Sequence, residues 1–326
     1  MTDIWTWHGG ALEAAKRHFG AGAEPWIDLS TGINPKAWPG TAGLSIDWRR
    51  LPEPDSLRQL ETAAAVHFGV DPQHVCAVPG TETGLRLAGC LIGGPARHVA
   101  PSYRTHGEMI VGSRAIEWIA TGGSSETLIL ANPNNPDGRW LDREQMRALL
   151  EARAHHGWLL VDEAFADSDP AISVASLVSE TRRLLVFRSF GKFFGLAGVR
   201  LGFVIGPSQV LAPLREQLGA WPLSTAAIAI GTAAYRDRPW IAATRERLDH
   251  EAARLDAVLV RCGHQPIGRC PLFRLIETDE APQLFDRLAR AAILTRPYEP
   301  DRRWLRIGLP PDQAALDRLE RVMAHG

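Results

Sequence analysis

The chain has 326 residues, enough for roughly two domains. Lys and Arg (36) balance Asp and Glu (37) to a net charge of -1, which excludes the strongly basic surface that binds nucleic acid or an anionic membrane. Apolar runs fall far short of the ~18 residues of a membrane span. The start, Met1-Thr2-Asp3-Ile4-Trp5, has neither the basic nor the apolar region of a secretion signal. Cys76, Cys90, Cys262 and Cys270 form no Cys-x-x-Cys pair and no disulfide framework, so a cytoplasmic protein without a metal site is expected.

Residues 1–40 read as an irregular arm rich in Gly, Pro and Trp, with a short helical pattern at 11–19. Two stretches of it are polar: Trp7-His8-Gly9-Gly10, and Asp28-Leu29-Ser30-Thr31-Gly32-Ile33-Asn34-Pro35. His8 can be cationic near neutral pH. Gly9 lets backbone N–H groups approach a ligand, and Asn34 adds a donor, so these residues form a candidate anion site. From residue 56 to 206, helical patterns such as 56–68 and 142–155 alternate with short apolar strands. That alternation predicts an α/β layer structure with a mostly parallel central sheet. Functional side chains then belong at strand ends and loops, where ligands of open α/β sheets bind.

The motifs follow in that order. Val78-Pro79-Gly80-Thr81-Glu82 leads into a helical pattern through Leu85, Ala88 and Leu91, and a helix N-terminus offers unpaired N–H groups and a positive dipole end to a phosphate. Glu82 should serve through its backbone, with its side chain turned away. Tyr103 follows in Pro101-Ser102-Tyr103. The apolar run from Leu128 to Ala131 enters Asn132-Pro133-Asn134-Asn135-Pro136-Asp137-Gly138, and the run from Trp158 to Val161 ends in Asp162-Glu163. Leu184-Leu185-Val186-Phe187 reads as a buried strand. It leads into Ser189-Phe190-Gly191-Lys192-Phe193-Phe194-Gly195, with Arg200 eight residues after Lys192. Arginine suits phosphate because its planar fork can give two parallel charge-assisted bonds. From about 207 the helices lengthen (239–262, 282–292), with strands at 272–277 and 304–309. This predicts a large domain at 41–206 and a smaller α+β domain at 207–326, onto which the arm of 1–40 packs. Arg306 falls within an apolar strand, where a guanidinium is costly unless an anion meets it.

This constellation resembles the fold-type I pyridoxal-phosphate (PLP) enzymes of the aminotransferase class I/II superfamily, over essentially the whole chain. The resemblance implies PLP as cofactor, with Lys192 as the Schiff-base lysine and Asp162 as the partner of the pyridine nitrogen. It implies Asn135 at the phenolic oxygen and near the substrate, and Tyr103 on the ring face. Gly80, Thr81, Glu82, Ser189 and Arg200 match its phosphate cup. Arg306 matches the arginine that clamps a substrate carboxylate, and Arg296 a second arginine at the substrate. A homodimer is also implied.

The His-Gly-Gly start and Ile-Asn-Pro loop look like the branch of L-threonine-O-3-phosphate decarboxylases of cobalamin biosynthesis, close to the histidinol-phosphate aminotransferases. On that resemblance His8, Gly9 and Asn34 contact a phosphorylated amino acid. Two residues depart from relatives: Leu51 stands where many carry a tyrosine that reaches the neighbouring subunit's cofactor, and Phe165 replaces a tyrosine of aminotransferases. Neither can donate a hydrogen bond. A histidinol-phosphate-type aminotransferase stays open as the alternative reaction. A catalytically silent scaffold or regulator of this fold would be expected to lose Lys192 or Asp162, and both are present.

Overall fold

The computed structural model describes residues 4–20, 24–118, 125–153 and 156–324. The chain forms two compact units. The larger comprises Ala37–Asn135 and Trp140–Ala243, and the smaller comprises Met1–Lys36, Pro136–Arg139 and Thr244–Gly326.

The larger unit is built on a seven-stranded sheet in the order Val75–Val78, Gly202–Ile205, Leu184–Ser189, Leu159–Asp162, Thr127–Ala131, Ala96–Val99, Arg114–Ile116. Gly202–Ile205 runs antiparallel to both neighbours, and the remaining pairs are parallel. Thr127–Ala131 and Leu159–Asp162 are buried at every position. Strands covered on both faces are continuous apolar runs rather than alternating ones, which is why these were legible as strands. Each buried Leu, Val or Phe side chain contributes about 1.5–3 kcal/mol.

Helices surround this sheet. Arg143–Glu151 begins with a reciprocal cap: Asp142 accepts from the Gln145 N–H at 2.8 Å, and the Gln145 side chain accepts from the Asp142 N–H at 2.9 Å. The helix ends at Glu151, short of the expected 142–155. His155 lies outside the described residues.

The two compact units divide between Ala243 and Thr244, within the helix Arg238–Arg261, whereas the expected domain boundary lies near 207. Two helices between these points belong to the larger unit. Ser208–Leu218 packs Val210, Leu211 and Leu214 into one apolar cluster with Val78, Leu85 and Leu185. Thr225–Arg236 lies along Pro54–Phe68. A change in helix length along the chain does not reveal which core a helix joins.

In the smaller unit, Trp304–Gly308 is the central strand of an antiparallel three-stranded sheet, between Arg296–Pro297 and Phe273–Glu277. Ala281–Arg290 and Gln313–Ala324 pack together beside it. Ile27–Asp28 pairs in parallel with Ile293–Leu294, so N-terminal residues share this unit with the C-terminal ones. Among the described residues no helix is long and apolar enough to cross a membrane.

Candidate functional site

The register of the larger sheet gathers residues that the sequence scatters. Gly202 pairs with Val78 on one side and Ser189 on the other. Two residues past Val78 stands Gly80, two before Gly202 stands Arg200, and Ser189 ends its strand. Gly80 caps the helix Thr81–Ile92 with φ 86°, a conformation costly for any residue with a Cβ. A Cβ on Gly80 would also lie 2.7 Å from Arg200 Nη2. The Thr81 hydroxyl donates to the Arg188 carbonyl at 3.2 Å, tying the helix start to the strand that carries Ser189. Gly80, Thr81, Ser189 and Arg200 therefore converge on one small volume at strand ends.

One strand further in, Ala131 pairs with Asp162, and Asp162 with Phe187. Asp162 is buried, and its Oδ2 lies 3.0 Å from His106 Nε2, a ring fully shielded from solvent. His106 stacks edge-on with Tyr103 at 5.8 Å. The Tyr103 hydroxyl donates to Glu82 Oε2 at 2.9 Å, and Glu82 also accepts from Thr105 Oγ1 and Arg86. Burial opposes the Glu82 charge, but the bonds from Thr105, Arg86 and Tyr103 outweigh it and hold the carboxyl below its ordinary value. Burial, reinforced by Glu82, pushes the Tyr103 hydroxyl up to about 12. The Glu82 side chain is thus occupied by these donors. In the Asn-Pro loop, Asn132 exchanges bonds with Leu141 and Asn134 donates to the Pro101 carbonyl, while Asn135 is half-buried. Lys192 sits on the short helix Phe190–Phe193, its Nζ 6.0 Å from the centre of the Phe165 ring.

Beneath this layer lies a charged cluster that sequence reasoning missed. Arg188, buried, donates to Glu163 at 2.9 Å and to Asp167. Glu163 accepts further from Ser173 and the Val174 N–H, and Asp167 lies 2.9 Å from His67 Nε2. Burial works against the Arg188 charge, but Asp167 and Glu163 outweigh it and hold the guanidinium charged. The site-facing Asp162 and Ser189 are each one residue from a member of this cluster.

The second group of expected residues is in the smaller unit. Arg306 is buried, donates to the Ser30 carbonyl at 2.8 Å, and stacks over the Phe273 ring at 4.9 Å. Arg296 is its direct cross-strand partner and stacks on Tyr298 at 4.7 Å. Burial, with help from Arg296, lowers the Arg306 guanidinium to about 10, which leaves it charged at neutral pH. Asn34 is buried and accepts from Arg247 Nη2 at 2.9 Å and from the Lys36 N–H at 3.0 Å. His8 is exposed beside Trp7, and Gly9 packs against Ser30.

His106, Arg188 and Arg247 carried no readable signal, since each is defined by a partner 21 or more residues away. The donor set of the larger unit suits PLP. A helix N-terminus, two hydroxyls and an arginine fork match a phosphate, and the gap that a Gly80 side chain would fill lies among them. A buried carboxylate at Asp162 matches a protonated ring nitrogen, and Lys192 an aldehyde.

Comparisons with known proteins agree. The model of the family "Aminotransferase class I and II" matches residues 113–322. The chain is similar to a threonine-phosphate decarboxylase of Sinorhizobium sp., 40% identical over 97% of this chain and 97% of that protein. A threonine-phosphate decarboxylase of Pseudomonas aeruginosa is 38% identical, over 97% and 96% respectively. The fold matches the crystal structure of histidinol-phosphate aminotransferase from Sinorhizobium meliloti in complex with pyridoxal-5'-phosphate, with a TM-score of 0.83 at 20% identity, covering 96% of this chain and 93% of that one. With a family model over most of its length and two near-full-length relatives, the chain belongs to the aminotransferase class I and II family.

Proposed function

We propose that this protein is a PLP-dependent carboxy-lyase that converts L-threonine O-3-phosphate to (R)-1-aminopropan-2-yl phosphate, an intermediate for cobalamin biosynthesis. The observation that carries the reading is the pair of facing arginines, Arg296 and Arg306, one buried and both cationic, in a unit that also holds His8 and Asn34. Two arginines directly across a strand pair, one of them buried, suit a ligand that carries anions. A substrate with a carboxylate and a phosphate supplies both. That two relatives at 38–40% identity are named threonine-phosphate decarboxylase supports the same substrate.

The roles are assigned as follows. Gly80, Thr81, the Glu82 backbone, Ser189 and Arg200 hold the cofactor phosphate, Asp162 the ring nitrogen, Asn135 the phenolic oxygen and Tyr103 the ring face, with Lys192 as covalent anchor. When bound, PLP supplies an electron sink to the amino-bearing carbon of the substrate. Arg306 holds the substrate carboxylate, while His8, Gly9, Asn34 and Arg296 hold its phosphate and Asn135 contacts the substrate. With carbon dioxide as the leaving group, Lys192 or a water would deliver the proton that replaces it on Cα. His106 keeps Asp162 aimed. Assembly as a cytoplasmic homodimer belongs to the same reading. It is supported by the exposed Leu51 and Trp221, which border adjoining clefts of the larger unit.

Incubation with O-phospho-L-threonine tests the proposal. Carbon dioxide release without keto-acid formation is expected. Rapid transamination of histidinol phosphate with 2-oxoglutarate, and no carbon dioxide from phosphothreonine, would overturn it in favour of an aminotransferase.

A further inference from the structure

Ser30 is 2% exposed and makes contacts to three separate parts of the smaller unit. Its hydroxyl donates to Asp28 Oδ1 at 2.6 Å, and its backbone N–H donates to the same oxygen at 2.9 Å. With the hydroxyl proton held by Asp28, the oxygen lone pairs accept the Gly10 N–H at 2.8 Å. The Ser30 carbonyl accepts from Arg306 Nη2 at 2.8 Å. The approach to the N-terminal segment is tight. A Cβ on Gly9 would lie 2.3 Å from the Ser30 carbonyl oxygen, and Gly10 adopts φ 85°. A simple turn would account for the bonds between Asp28 and Ser30. It would not account for one buried residue contacting both Arg306 and the Gly9-Gly10 backbone.

We propose that Ser30, oriented by Asp28, is the positioning residue that fixes the separation of Arg306 from the His8-Gly9-Gly10 segment, and so selects a substrate whose carboxylate and phosphate stand a set distance apart. This rests on the reading of Arg306 and His8-Gly9 as the holders of those two groups. The chemistry divides cleanly within the residue: the carbonyl serves Arg306 and the hydroxyl serves Gly10. Ser30→Ala therefore removes the hydrogen bond to Gly10 and keeps the one to Arg306.

The test measures three quantities on the holoenzyme of the parent and of Ser30→Ala. These are kcat/KM for O-phospho-L-threonine, kcat/KM for L-threonine, and the inhibition constant of inorganic phosphate. Loss of a well-placed hydrogen bond predicts a fall of about 10-fold for phosphothreonine. Threonine turnover and phosphate inhibition should change by less than about twofold, because each anion-binding group stays intact and only their spacing relaxes. Asp28→Asn, which keeps an acceptor for Ser30, should behave like the parent. If Ser30→Ala does not fold, Asp28→Ala frees the hydroxyl from its orienting acceptor and is read in the same way. Equal losses for both substrates, or loss of phosphate inhibition, would show a structural or direct-binding role and overturn the spacing role alone. A parent enzyme that does not prefer phosphothreonine to threonine would overturn the two-anion reading itself, and it would be seen before any variant is made.

Discussion

At the scale of single residues, the pairing with His106 is what orients the Asp162 side chain at the end of a buried strand. His106→Ala should weaken cofactor binding by about 10-fold or more, the loss expected for a hydrogen bond to a charged group. Absorbance titration of the apoenzyme with PLP reads this, and unchanged affinity would remove His106 from the site. Lys192 makes a sharper prediction. The purified protein should be yellow, borohydride reduction should attach the cofactor at Lys192, and Lys192→Ala should bind PLP without a covalent bond and lose turnover. In the other unit, Arg306→Ala should lower kcat/KM for phosphothreonine by ~10- to 150-fold through the carboxylate. His8→Ala should instead erode the preference for phosphothreonine over threonine.

At the scale of elements, the cluster of Arg188, Glu163, Asp167 and His67 joins the helix Pro54–Phe68, the segment after Leu159–Asp162 and the strand Leu184–Ser189. Arg188→Met would leave two carboxylates buried without their cation and should cost about 3–5 kcal/mol in urea unfolding. Asp167 also gives a pH signature. Burial alone would raise its pKa, but Arg188 and His67 outweigh burial and hold it below the ordinary 3.8. Its contribution to stability is therefore complete above that ordinary value and is lost as pH falls below it toward the depressed folded value. Asp167→Asn should lose stability less steeply than the parent across that acid window. Equal slopes in acid would mean that Asp167 is not held in its charged form.

At the scale of the whole molecule, the proposed homodimer is tested by sedimentation. A dimer is expected, and a stable, fully active monomer would refute it. Leu51 is 62% exposed, so a second copy of the chain can reach it. On the dimer reading Leu51→Tyr should be tolerated and should tighten PLP binding by restoring a donor, as measured by the same absorbance titration.

The sequence by itself determined the α/β class and the placing of the proposed cofactor-side residues at strand ends. Both are local properties. Buried strands are continuous apolar runs, and Gly80-Thr81, Asp162, Ser189, Lys192 and Arg200 stand at or near their ends, where the chain leaves or enters the sheet. The buried guanidinium of Arg306 was legible for a similar reason, as a charge inside an apolar strand. Only the tertiary structure decided the rest. It divided the compact units in the middle of a helix, because a helix's allegiance depends on which core buries its apolar face. It also paired His106 with Asp162, Arg188 with Glu163 and Asp167, and Ser30 with both Gly10 and Arg306. These partners lie 20 to 276 residues apart. Composition and periodicity carry no information about such pairs, because a hydrogen bond depends on the separation of two atoms in space, and sheet register and helix packing set that separation.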